Sequence, residues 1–269
     1  MTDNMFTRAK SKLNPPVSAW KEDMPENHEP QLVPPQLLWL NKINAIWLEI
    51  PRYDKGMTWW GMIPSAIFMF ILMSGLLVHS ISVQREYGGF FMPVLSTFST
   101  MFFSSMFLFC LKLALVTPRD QPVRLNRVRQ NIYVYQYKKD RIPWLKWPVI
   151  ITRYNWTDVY GEIRYCSDRY RSGYQLWGAV CEPGTYNVTH RFQLADGNPA
   201  DLQQVWSFLC LYMKGEPVPA EPKNKGRPNS WRPRKADQWP EEMERESTTA
   251  PEAEHGEIGK QSVISDNSR

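Results

Sequence analysis

Two long apolar runs, Trp59–Val83 and Tyr87–Leu111, lie almost end to end, parted only by Gln84-Arg85-Glu86. About 20 consecutive apolar residues suffice for a helix to cross the hydrocarbon core. The pattern therefore predicts a transmembrane helical hairpin over residues 57–116, with spans 59–83 and 87–111. Pro64 and Pro93 each fall early in a span, where a missing N–H costs little. Ser96, Thr100 and Ser104 recur every four residues, and Gly61 with Ser65 starts a similar row. Small side chains at that spacing let a second helix approach closely. Trp59 and Trp60 suit one membrane boundary and Tyr87 the other. Of Asp, Glu, Lys, Arg and His, the two runs hold only His79, close to one end. That fits an interfacial histidine rather than an ion path.

The flanks follow other rules. Residues 1–35 mix charge, Asn and Pro without an apolar segment, so they predict a disordered arm and no signal peptide. Residues 36–55 are rich in Leu, Ile and Trp but too short to span. Two readings stay open: an interfacial helix on the membrane, or a strand packed on the folded domain. Residues 120–216 carry short alternating runs punctuated by Gly and Pro. These are 123–126, 132–135, 149–151, 156–163, 174–181 and 189–194. A helix then closes the domain over 199–214. Asn198 sits at its cap, Leu202, Val205, Trp206, Leu209 and Met213 recur at helical spacing, and Gly215 stops it. The predicted class is a membrane α-helical hairpin plus a small α+β domain, a pleckstrin-homology-like antiparallel β roll with a C-terminal helix. From residue 217 to 269 periodicity disappears, which predicts a disordered tail.

Charge sets the expected orientation. Lys42, Arg52 and Lys55 precede the hairpin; Lys112, Arg119, Arg124, Arg127 and Arg129 follow it; the turn holds only Arg85. The excess of positive charge puts both termini in the cytoplasm. The net charge of +5 is modest and gives no reason to expect nucleic acid. A basic run in the tail, Lys223, Lys225, Arg227, Arg232, Arg234 and Lys235, is either a solvated linker or a lipid-attracted patch. The four cysteines, Cys110, Cys166, Cys181 and Cys210, form no CxxC pair and are expected to be reduced.

Sites for chemistry are scarce. His28, His79, His190 and His255 are never at metal-ligand spacing, and neither a phosphate loop nor a nucleophile elbow occurs. Asp158 and Glu162 are expected to be surface acids, and Asp168, Arg169 and Arg171 to lie in a polar loop. Trp156 is expected in the core, with a partner-facing ring as the alternative. Tyr133, Tyr135 and Tyr137 share one strand face, expected to pack on the closing helix or the N-terminal arm. No enzyme activity, metal or cofactor is expected.

Several of these segments together resemble a known group. They are Val123-Arg124-Leu125-Asn126-Arg127 followed by Ile132-Tyr133-Val134-Tyr135, then Trp156-Thr157-Asp158, then Trp206 through Tyr212-Met213 with its Gly-Glu-Pro stop. The segments are similar to those of an uncharacterised group of proteobacterial two-helix inner-membrane proteins often encoded beside type VI secretion effectors. The likeness covers roughly residues 35–220. Its motif positions here are Asn126, Arg127, Tyr133, Trp156, Asp158, Trp206, Tyr212 and Met213. The chain departs from the pattern at Leu125, where Phe is usual, and in its long tail. The resemblance implies a two-pass protein of a bacterial inner membrane that binds a cognate effector or secretion-system protein, as an immunity or accessory protein. The alternative is a lipid-sensing scaffold that uses its pleckstrin-like fold on the membrane surface.

Overall fold

The computed structural model describes residues 10–53, 61–87, 89, 91–138, 142, 145, 147–168, 171–224 and 237–251. The chain divides into two compact units. One comprises residues 53–121 and 136–150; the other comprises 1–52, 122–135 and 151–269.

The first unit is built on two helices, α1 (Met62–Tyr87) and α2 (Phe91–Val116), of 26 residues each. At about 1.5 Å per residue each is longer than a hydrocarbon core of about 30 Å. Both are long and apolar enough to cross a membrane. Their outward surface is apolar: Phe68, Ile71, Val78, Phe98, Met101 and Phe102 are all exposed. The bounds differ from the expected spans. Gln84-Arg85-Glu86 is not the turn but the end of α1, because all three are good helix formers. The break comes at Gly89, whose φ of 105° suits glycine. Lys112 likewise does not end α2, which continues to Val116, two residues before Pro118.

Between α1 and α2, the Ser104 hydroxyl donates to Met73 Sδ at 3.0 Å, and the Phe70 and Phe107 rings meet at 5.7 Å. The rest of the small-residue row behaves differently. Ser65 donates to the carbonyl of Gly61 and Ser96 to that of Pro93, within their own helices, while Thr100 is half-buried. Trp59 and Trp60, and the side chain of Tyr87, lie outside the described residues.

The second unit contains most of two antiparallel sheets and two described helices; residues 136–137 and 149–150 of two of the strands fall in the first unit. Its strands are β1 (Trp20–Asp23), β2 (Lys42–Ile43), β3 (Trp47–Ile50), β4 (Val123–Asn126), β5 (Asn131–Tyr137), β6 (Val149–Asn155), β7 (Val159–Asp168), β8 (Arg171–Cys181) and β9 (Val188–Gly197). One sheet runs β1-β7-β8-β9 and the other β2-β3-β4-β5-β6. Helix α3 (Pro199–Lys214) begins where Asn198 Oδ1 accepts from Asp201 N at 2.9 Å. It ends at Gly215, whose φ of 83° lets its N–H reach back to the last carbonyls. Leu202, Val205, Trp206, Leu209 and Met213 form its buried stripe. They pack with Leu48, Val123, Leu125, Ile132, Val134, Ile163 and Leu176 in one core.

Three expectations change here, and of the two readings open for residues 36–55 the strand is the one observed. The described part of the N-terminal arm is folded onto the domain: β1 pairs with β7, Leu13 packs on Ala179 and Cys181, and Trp206 Nε1 donates to Pro25 O. Edge pairing satisfies backbone groups and needs no apolar run, so composition concealed it. Residues 36–55 contribute strands, not an interfacial helix, with Trp47, Leu48 and Ile50 buried. Trp156-Thr157-Asp158 is a short 3-10 turn leading into β7 rather than its first residues. The tail is not featureless either: Glu241–Thr248 forms α4.

Candidate segment-binding site

Strand alternation sets up a second buried face on the β3-β4-β5 ladder. Val123 and Leu125 point into the core, so Arg124 and Asn126 point away from it. Register then places Glu49 and Tyr133 on either side of Arg124, and Trp47 beside Asn126. Arg124 and Asn126 are nonetheless almost wholly buried, because residues 237–251 lie over them.

The Arg124 guanidinium is the centre. Its Nη2 donates to Glu49 Oε2 at 2.7 Å, and Nε to the same oxygen at 3.1 Å. Its Nη1 donates to Glu244 Oε2 at 2.8 Å and to Ser247 Oγ at 2.7 Å. The Trp47 and Trp239 rings lie 4.5 and 4.4 Å from its central carbon. A planar cation is thus paired at its edge and stacked against two aromatic faces. Trp239 also meets the Tyr135 ring edge-on at 5.6 Å.

A second set of contacts holds the C-terminal end of α4. Asn126 Nδ2 donates to the carbonyls of Ser247 and Thr249 at 3.1 and 3.0 Å, and Arg129 Nε donates to Thr249 O at 3.0 Å. These carbonyls lie where a helix leaves its acceptors unsatisfied and its dipole is negative. Asn126 Oδ1 accepts from the backbone of Val128 and Arg129, which fixes the amide's direction. A third set holds Glu246, whose Oε1 accepts from Tyr133 Oη at 3.1 Å and Arg153 Nη1 at 2.6 Å. Burial, then the adjacent Glu246 charge, pushes the Tyr133 phenol up to about 12, so it stays a donor at neutral pH.

The motif positions read from the sequence fall into two groups. Asn126 and Tyr133 belong to this face. Arg127 lies over the Tyr212 ring at 5.4 Å, Tyr212 Oη donates to Asn44 O, and Met213 O accepts from Gln130 Nε2. Trp156 is buried against Trp206 at 5.5 Å, in the core. Asp158 is half-buried, 3.3 Å from Asn155 Nδ2. The Tyr133 and Tyr135 side chains are buried outside the core that packs on α3, and meet Glu246 and Trp239 of the tail.

Glu162 is not a surface acid. It is fully buried, with Oε1 2.7 Å from Arg191 Nε; burial pushes its carboxyl up and Arg191 opposes that. Asp168 closes β7 and Arg171 opens β8, facing each other in register, while their side chains and Arg169 lie outside the described residues. Of the basic run, Lys223 pairs with Asp201 at 2.8 Å, and Lys225, Arg227, Arg232, Arg234 and Lys235 lie outside the described residues. His255 does too. Among the described residues, no group of three His, Cys, Asp or Glu side chains is arranged to hold a metal ion.

Sequence reading missed Arg124, Glu49, Trp47, Trp239, Glu244, Glu246 and Ser247 as one site. The available signal was a charged residue between apolar neighbours in both β3 and β4, together with a Trp-led acidic segment far along the tail.

Comparison with known proteins gives a family but no function. A family model described as a family of unknown function (DUF6708) matches residues 100–236. Neither a curated protein nor a solved structure matches the chain.

Proposed function

This chain belongs to the DUF6708 family, and on that premise we propose that it is a membrane-anchored, non-enzymatic protein-binding module. The observation that carries the reading is the Arg124 site. A sheet face lined with Arg124, Asn126, Arg129, Tyr133 and Arg153 holds a short acidic helix by charge-assisted bonds. This is the chemistry of segment recognition: a cationic cradle, aromatic walls, and donors aimed at a helix end.

Helices α1 and α2 are the anchor. Their exposed apolar surfaces support a two-pass insertion, and the flanking positive charges support cytoplasmic termini in a bacterial inner membrane. The two antiparallel sheets followed by α3 support a pleckstrin-homology-like roll. The resemblance to proteins encoded beside type VI secretion effectors directs the choice of partner. The module holds or neutralises a cognate effector, as an immunity or accessory protein.

The test has two arms. Membranes from expressing cells are washed with alkaline carbonate; the protein is expected to stay in the pellet and leave it only with detergent. Strains lacking the gene are then challenged by sibling cells; they are expected to be outcompeted, with an effector co-purifying from the parent. Extraction by carbonate alone contradicts the anchor, and unchanged survival without a co-purifying effector contradicts the partner.

A further inference from the structure

The Arg124 face has an occupant whose own properties are unlike those of a core element. Helix α4 has eight residues, of which only Ser247 is buried. A helix so short is marginal in water on its own, so its form depends on the face that holds it. Nearly all of its hold is polar: Glu244 and Ser247 on Arg124, Glu246 on Tyr133 and Arg153, and two carbonyls on Asn126 and Arg129. Obligate packing within a domain is mostly apolar, whereas polar contacts of this kind are typical of surfaces that associate and separate.

The family match adds a boundary. Arg124, Asn126, Arg129, Tyr133 and Arg153 fall inside residues 100–236; Trp239, Glu244, Glu246 and Ser247 fall beyond it. The matched stretch therefore supplies most of the receptor and none of the ligand. Charge is complementary across the contact: the face carries Arg124, Arg129 and Arg153 against Glu49, and the helix carries Glu241, Glu242, Glu244 and Glu246 against Arg245. A ligand joined to its site through a short stretch of the same chain competes at an effective concentration on the order of 1 mM. Such an occupant blocks weak ligands and yields to a better one.

We propose that the Arg124 face is the receptor for an acidic helical segment of a partner protein, and that residues 237–251 occupy it as a displaceable internal ligand. The proposal rests on the binding-module reading and names its ligand. A fitting partner segment carries an aromatic residue, then two carboxylates two positions apart with a small hydroxyl residue directly after the second, as Trp239, Glu244, Glu246 and Ser247 do here. Binding expels the protein's own tail, so occupancy of the site is coupled to release of the tail.

The test uses the full chain in detergent and a fluorescent peptide of residues 237–251 as probe. Glu244→Lys with Glu246→Lys in the protein vacates the face, since both lysines would oppose arginines. The peptide is expected to bind this variant at least about tenfold more tightly than the unaltered chain, which its own tail protects. Adding Arg124→Ala is expected to abolish binding. Adding Arg153→Ala, an exposed residue whose loss leaves the core intact, is expected to weaken it severalfold and to steepen no salt response. Equal binding to vacated and unaltered chains, no binding to the vacated chain, or indifference to both arginine substitutions overturns the proposal. A stable dimer of the unaltered chain formed by exchanged tails also overturns it, by making a second copy the occupant. A chain that survives the carbonate wash yet ignores the peptide refutes this inference alone.

Discussion

Gly161 shows how closely the N-terminal arm is fitted. A Cβ there would lie 2.7 Å from Trp206 Cδ2 and 2.9 Å from Met24 Cβ. Gly161→Ala is therefore expected to destabilise the folded unit by about 1–3 kcal/mol, read as a lowered thermal midpoint. The cysteines give a second residue-level prediction. Burial pushes Cys181 up to about 11 and Cys210 up to about 12, and the thiolate is the reactive form. At pH 8 a maleimide is expected to label half-buried Cys166 well before either. Raising the pH towards 11 should accelerate Cys181, as mass spectrometry of the labelled sites will register. Single residues were also where sequence reading was least secure. Trp156 is core, as its type implies, whereas Glu162 is buried against Arg191. A Glu in an alternating strand looks like a surface position until its partner, 29 residues away in the chain, is known. Arg124 was hidden in the same way, because its partners come from β3 and the far tail.

Among the elements, α3 was legible because several local signals agree: a capping Asn, an early Pro, one apolar stripe and a terminal glycine. Removing the cap with Asn198→Ala is expected to cost about 1 kcal/mol, measurable by denaturant titration. The apolar helices are legible in kind but not in extent, because the polar triplet Gln84-Arg85-Glu86, which the pattern predicts as a turn, is made of good helix formers and extends α1. Elements made by long-range contact were not legible. Strand β1 exists because β7 offers an edge to polar residues. Helix α4 has no apolar periodicity, and its stability is borrowed from β4, β5, β6 and the turn at Arg129. Local propensity carries no trace of that.

At the scale of the whole molecule, the central claim is that an anchored module carries a cationic, aromatic-walled face whose natural ligand is an acidic helix. The hydrophobic pattern predicted the two long apolar helices, most of the strands and the closing helix. It did not show that two polar segments join the folded unit, residues 20–23 by extending one sheet and residues 237–251 by covering the other. Hydrogen exchange over residues 241–249 of the full-length protein in a bilayer tests this most directly. The amides of Glu244 and Thr249 close α4 through bonds to Pro240 O and Arg245 O. They are expected to be protected at least about tenfold in the unaltered chain and to lose that protection in Glu244→Lys/Glu246→Lys, while the β7 and β8 amides stay unchanged. Free exchange over 241–249 in the unaltered chain, or protection that survives the double substitution, would contradict the account.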